Sequence, residues 1–439
     1  MPFELLFVPP SVRDATGERA WLQAMLDFEA ALAAAQARAG LIPEEAARAI
    51  AAACDASRFD AAEIGRAGHA SSNPAAALVE ALTEAVGGEA AGYVHRGATS
   101  QDMMDTAAVL VADRALVAIK AELTGVMLAC VELASEHRGT PMAARTLLQQ
   151  ALPTTFGLKA AGWLVAVDEA SSRLDALRPE VELGGAAGTL ASLGEDGLRV
   201  LELIADELDL GEPVLPWHTR RGRIGELGAA LALCAGALEK IALDLKLLAQ
   251  TEVGEVAESA AGGRGGSSTL PHKRNPVGSA LAIACAHGVR GAATVLLAAQ
   301  AQEHERAAGA WQAEWEALDR ALALTGGAAA AVREALDGLE VRPERMRANL
   351  EVTGGLLLAE AVSTALADAL GRARAKEVVG AACRRAVEAG RPLRDELVED
   401  PDVDLSPEEI DRVLDPAGYL GSAAAFVDRA LQSFRRTDG

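Results

Sequence analysis

Aromatic side chains are scarce in this chain of 439 residues, at 3% of the total, and Ala and Leu carry most of the apolar half. Both are strong helix formers, whereas sheet-rich proteins lean on β-branched and aromatic residues, so the composition points to helices. Cysteine is equally thin. Cys54, Cys130, Cys234, Cys285 and Cys383 are odd in number, scattered and never in C-x-x-C spacing. A disulfide framework and a structural zinc site both fit poorly, and a reduced, cytoplasmic setting is expected. Basic residues are outnumbered 63 to 41, a formal charge of −22. No nucleic acid and no anionic membrane surface is therefore expected as a partner. The longest apolar runs are Ala/Gly-rich and only weakly hydrophobic, which argues against a membrane span. The start, from Met1 to Pro10, has no basic stretch and no cleavage site, so no export signal is expected.

What is present is helical periodicity. Leu227, Leu231, Cys234, Leu238, Ile241, Leu245 and Leu248 alternate steps of four and three, which sets one apolar seam along a long helix. Such a seam needs neighbouring helices, from the same chain or from other subunits. The segments around 103–136, 278–302 and 311–337 are also long, Ala-rich and nearly free of proline. No strand alternation bounded by turn dipeptides persists, and there is no internal repeat or low-complexity tail. Breakers suggest three parts: an N-terminal helical domain over 1–108, a central long-helix bundle over 109–350 and a C-terminal helical domain over 351–439. The expected fold is all-α.

Acidic residues are missing in two places. Residues 259–302 contain none yet include Arg264, Lys273, Arg274 and Arg290, and His137–Val167 contains none yet includes Arg138, Arg145 and Lys159. Burial would explain absent acids but would exclude Arg and Lys too. Local positive sites for an anionic ligand are the expectation. The first stretch holds a loop with Gly262, Gly263, Gly265 and Gly266, then Ser267-Ser268-Thr269-Leu270-Pro271-His272-Lys273-Arg274-Asn275-Pro276. Its glycines free the backbone to present N–H groups to an anion, although a surface linker would share the Gly/Ser content. It is not a P-loop, because the Gly-Lys-Ser/Thr ending is absent.

The order Ser-Ser-x-x-Pro-x-Lys-x-Asn-Pro resembles the signature of the fumarase/aspartase superfamily. His95-Arg96-Gly97-Ala98-Thr99-Ser100-Gln101-Asp102 resembles its first conserved block, and Arg145-Thr146-Leu147-Leu148-Gln149-Gln150-Ala151-Leu152-Pro153 its second. With the three-part layout, the resemblance covers essentially the whole chain. The tail Asp415-Pro416-Ala417-Gly418-Tyr419, the run Gln302–Arg306 and Trp311–Trp315 are most similar to the cycloisomerase branch.

The resemblance implies removal or addition of a proton beside a carboxylate, with a group leaving or adding at the next carbon through a doubly charged aci-carboxylate. It implies Ser267 as catalytic base, deprotonated by its electropositive loop, and Lys273 with Asn275 as donors that hold the aci-carboxylate, with His95, Thr99, Ser100, Gln149, Ser268 and Arg306 holding substrate. It further implies a small tricarboxylate substrate, no metal or organic cofactor, and a homotetramer with active sites shared among three subunits. The residues themselves leave rival roles open. Ser267 can cap a turn. His95 can make a structural hydrogen bond, and His272 can be filler. Arg220, Arg221 and Arg223 either reach the site or form a solvated helix start.

Two departures narrow the chemistry. By the resemblance, Leu147 stands where the superfamily's lyases place a histidine and its cycloisomerases often a tryptophan, and Ala280 where the lyases place a glutamate. An amine or hydroxide leaves badly unless protonated, whereas a carboxylate leaves readily, since its acid has a pKa near about 4. Lactone formation or opening is thus the expected reaction. The alternatives are a β-elimination with another good leaving group, such as nitrite from a nitro-substituted succinate, and a non-catalytic helical scaffold.

Overall fold

The computed structural model describes residues 4–437, so Met1–Phe3 of the N-terminal segment read above lie outside it. In chain order its main elements are α1 (Glu18–Arg38), α2 (Ser100–Glu136), β1 (Pro141–Thr146), β2 (Gln149–Thr155) and α3 (Phe156–Asp175). They continue with α4 (Gly222–Leu248), α5 (Val277–Ala298), α6 (Ala310–Leu336), α7 (Pro343–Glu351), α8 (Ala359–Leu370) and α9 (Arg372–Ala389). The all-α expectation holds, and the four proline-poor segments are the long helices α2, α4, α5 and α6. At 1.5 Å per residue, α2 is about 55 Å long.

The chain forms two compact units, each discontinuous in sequence. One comprises Met1–Leu123, Ala170–Glu239 and Leu281–Ala331; the other comprises Thr124–Glu169, Lys240–Ala280 and Val332–Gly439. In the first, α1 buries Leu22, Leu26, Phe28 and Leu32 and packs against helices Glu44–Ala53 and Gly197–Leu208. The α4 seam is buried along its whole length, from Leu227 at 8% exposure to Leu238 at 0%. Close approach of α5 requires a small residue at Gly228, since a Cβ there would meet the Leu296 side chain. By length and composition α5 is the one helix among the described residues able to cross a bilayer. Its Ala282, Cys285, Val289 and Leu296 are packed inside the protein.

In the second unit α8 and α9 pack together around Val362, Leu366, Ala375, Val379, Leu393 and Leu397. This unit also contains a feature the periodicity did not reveal. β1 and β2 form an antiparallel hairpin with Pro141 opposite Thr155 and Thr146 opposite Gln149, and β1 lies on α7. The two connecting residues, Leu147 and Leu148, have φ of 51° and 64°. That is the geometry of a tight hairpin turn normally built from Asn-Gly, so no turn dipeptide announces it.

Candidate active site

The first conserved block builds the N-terminus of α2. Thr99 precedes the helix, and its N–H donates to Asp102 Oδ2 at 2.8 Å, one half of a capping box. The first N–H groups of a helix lack intrahelical partners and carry partial positive charge, which suits an anion. The Thr99 and Ser100 hydroxyls stand there, both partly exposed and without a side-chain partner among the described residues. Asp102 is fully buried and also accepts from Gly184 N (2.8 Å), Gly185 N (3.0 Å) and His218 Nε2 (2.7 Å). One carboxylate thus ties the block to the 184–185 turn. Asp102, Glu182 and His218 offer ligand atoms within 4.8 Å of one another, close enough for a metal ion, and here the His218–Asp102 hydrogen bond joins them.

His95 has φ of 55° and uses both its N–H and Nδ1 on Glu29, at 3.0 and 2.6 Å. Burial alone would lower its pKa, but the Glu29 carboxylate outweighs burial and holds the imidazole above its usual value. The structural hydrogen bond is therefore real, and Nε2 is the atom left for other contacts.

Arg306 is partly buried in the same unit. Its Nε donates to Gln101 Oε1 at 3.0 Å and its Nη2 approaches the Gly185 carbonyl at 3.5 Å. Both partners are neutral. Its neighbour Arg221 differs: it is buried, bonds Asp105 through Nη1 (2.6 Å) and Nη2 (3.0 Å), and pairs with Glu314. Burial works against its charge, and the two carboxylates more than restore it. Arg223 pairs with Glu180 and lies over the Trp217 ring, and Arg220 donates to the Leu215 carbonyl. A solvated helix start is thus the wrong description of Arg221 and Arg223, which are structural.

The second unit holds the loop and the hairpin. Asn275 closes the loop at its neck, where its backbone N and Nδ2 both donate to Gly265 O, at 2.9 and 3.0 Å. One amide hydrogen of Asn275 is therefore committed to the loop. Gly265 has φ of +68°, and a Cβ there would strike the Asn275 carbonyl, so only glycine fits. Beyond the neck, the buried Glu258 accepts from Gly278 N, Ser279 N and Ser279 Oγ at the start of α5. Arg274 donates to the Glu258 carbonyl and pairs with Glu340, whose carboxyl is held down at about 2 by bonds from Arg342 and Arg274.

Within the loop, Ser267 Oγ accepts from Thr269 N at 3.3 Å and Leu270 N at 3.1 Å. This is the turn cap foreseen as its rival role, but two donors aimed at one hydroxyl oxygen also favour its ionised form. Ser268, His272 and Lys273 are exposed. Gln149 is exposed at the start of β2, while Gln150 turns inward and donates to Asn349 O at 2.9 Å. The hairpin is anchored by Arg145, which donates to the fully buried Glu255 at 2.7 and 3.0 Å.

The predicted residues thus fall into two groups. His95, Thr99, Ser100 and Arg306 lie in one unit, and Gln149, Ser267, Ser268, Lys273 and Asn275 in the other. Of the seven cations in the acid-free stretches, six pair with acids elsewhere in the chain: Glu334, Glu340, Glu239, Asp428, Glu255 and Asp244. Lys273 alone has no acidic partner among the described residues. The expected positive islands therefore shrink to Lys273 in one unit and, outside those stretches, Arg306 in the other. Sequence reading missed Asp105, Glu182, Glu258 and Glu314, whose roles depend on burial and carry no motif.

Residues 9–291 match the family described as Lyase, and residues 355–430 match Adenylosuccinate lyase C-terminus. The chain belongs to this lyase family, the fumarase/aspartase superfamily. Within it, the chain is 48% identical to a 3-carboxy-cis,cis-muconate cycloisomerase from Pseudomonas aeruginosa, over 98% of this chain and 95% of that one. It is equally 48% identical to a nitrosuccinate lyase from Streptomyces davaonensis, over 96% and 92%. The crystal structure of a 3-carboxy-cis,cis-muconate lactonizing enzyme from Pseudomonas putida matches with a TM-score of 0.96 at 47% identity, covering 100% of this chain and 99% of that one.

Proposed function

We propose that this protein is a 3-carboxy-cis,cis-muconate cycloisomerase. One carboxylate of the triacid adds to the adjacent double bond, the electrons pass into the neighbouring carboxylate as an aci-carboxylate, and the carbon between is protonated to give a carboxymuconolactone. The observation that carries the reading is that Lys273 and Arg306, both in motif segments, have no acidic partner among the described residues, whereas the other six cations of the acid-free stretches are each paired with an acid. An acidic protein that keeps two such charges uncompensated has a place for a polyanion.

In this reading Ser267 carries the proton. Its Oγ gives it to the carbanionic carbon and takes it back in the reverse direction, with the Thr269 and Leu270 N–H groups stabilising the alkoxide. Lys273, Asn275 and the loop amides hold the aci-carboxylate; Ser268 and Gln149 contact the substrate beside them. Arg306, Thr99, Ser100 and His95 Nε2 bind the other carboxylates. Leu147 and Ala280 supply no proton donor, as suits a group that adds and leaves as a carboxylate. The two groups of residues meet in a homotetramer whose sites each draw on three subunits. A reduced cytoplasm suits the five unpaired thiols, of which Cys54, Cys130, Cys234 and Cys285 are pushed up to about 12 by burial.

The test is the ultraviolet absorbance of 3-carboxy-cis,cis-muconate, whose conjugated diene absorbs while the lactone does not. Wild type should clear the signal, and Ser267→Ala should slow it about a hundredfold or more. A folded wild type that leaves the diene intact overturns the reading. The equal identity to a nitrosuccinate lyase favours one second reading, elimination of nitrite, which is scored by nitrite release from nitrosuccinate.

A further inference from the structure

We propose that Gln101 is a positioning residue for Arg306: it aims the guanidinium at a substrate carboxylate while keeping its charge free. The inference rests on the reading of Arg306 as a substrate contact. Gln101 is fully buried on the first turn of α2, between the Thr99-Ser100 pair and the ion cluster beneath. Its Nε2 donates to Asp105 Oδ2 at 3.0 Å and to the His218 carbonyl at 2.9 Å. Both amide hydrogens are thereby used. Neither partner can donate, and Arg306 cannot accept, so the amide cannot be flipped. Its Oε1 must face Arg306 Nε, at 3.0 Å.

The base of this arrangement is rigid. Asp105 takes two bonds from Arg221 and one from Trp311 Nε1 at 2.9 Å. Arg221 is shared with Glu314, which accepts from Gln302 at 2.9 Å. Asp105 and Glu314 are two carboxyl groups that share the single guanidinium of Arg221, so an arginine beside them without a spacer would pair with Asp105. The neutral amide of Gln101 passes on the orientation of the cluster without its charge. Arg306 keeps its net positive charge, with donors left over for the two oxygens of a carboxylate.

The experiment compares Gln101→Met, Gln101→Glu, Arg306→Met and the double variant Gln101→Met/Arg306→Met by steady-state kinetics on 3-carboxy-cis,cis-muconate and inhibition by propane-1,2,3-tricarboxylate. Circular dichroism and light scattering establish that each is assembled. Gln101→Met should raise KM and the inhibition constant about tenfold, with a smaller change in kcat, as expected for a lost hydrogen bond to a charged group. Gln101→Glu differs by one atom; its carboxyl faces Asp105 Oδ2 and the His218 carbonyl, so burial and the neighbouring carboxylate favour its protonated form, which keeps one donor to that pair. When ionised it neutralises Arg306, so its KM should rise at high pH and recover as the pH is lowered, which a merely structural lesion would not do. In the double variant Gln101→Met should add nothing to the effect of Arg306→Met. If Arg306→Met leaves KM unchanged, the substrate-contact reading itself fails. If Arg306→Met raises KM while Gln101→Met or Gln101→Glu stays within twofold of wild type, or if the two lesions add, that reading stands and the role given to Gln101 is overturned.

Discussion

Glu182 is fully buried beside two other carboxylates and has no cation of its own. Its Oε2 accepts from Trp217 N at 2.5 Å, while Oε1 has no hydrogen-bond partner and lies 3.6 Å from His218 Nε2. Burial first, then the nearby Asp105 and Asp102, push its pKa up to about 9. The folded protein therefore keeps a proton on Glu182 that the unfolded chain releases above about pH 4.3. Between that pH and 9 the native state binds more protons, so stability falls as pH rises. Glu182→Gln removes this dependence and places an amide donor where Oε1 now lacks a partner. The variant's melting temperature should exceed that of wild type by a margin that widens from pH 5 to pH 8.5. A constant margin would mean that Glu182 is ionised in the fold. Such residues mark the limit of reading at this scale. Ser267, Lys273 and Arg306 were visible because their neighbours form motifs, whereas Glu182 sits in Pro179-Glu-Val-Glu-Leu, where only the folded chain reveals that water is gone.

Helices were legible because a 3.6-residue period repeats over many turns, and α4 ends at the last leucine of its seam. The hairpin was hidden for the opposite reason: its strands are short and its turn is made of two leucines. Left-handed backbone costs a branched residue about 1–2 kcal/mol, and Leu147 and Leu148 both adopt it at 97% and 79% exposure. Replacing the pair by Asn-Gly should stabilise the protein by about 1–3 kcal/mol, seen as a higher denaturant midpoint at unchanged slope. The strained apolar tip stands next to Gln149, so the same change should lower kcat/KM toward the triacid. A variant that gains stability and loses no activity would remove the tip from the site.

At the scale of the whole molecule, the α4 seam called for neighbouring helices, from the same chain or from other subunits. The structure buries that seam inside the chain, from Leu227 to Leu248, so it cannot also meet another copy. What remains for association is the outer face of the same helix. There Leu233 is 57% and Leu243 40% exposed, with Gly236 between them on the same side. Val117 and Leu128 on α2, eleven residues apart and so on one face, are likewise exposed. Exposed apolar side chains repeated at helical spacing fit helix-on-helix contact between copies better than solvent. The proposed tetramer therefore predicts that Leu233→Glu, which leaves the buried seam untouched, keeps its helical circular dichroism but elutes as a smaller species in light scattering. Because each site draws on three subunits in this reading, the variant should also lose activity, and mixing it with excess catalytically dead Ser267→Ala protein should not restore it. A Leu233→Glu protein that remains tetrameric and active would place the interface elsewhere on the long helices.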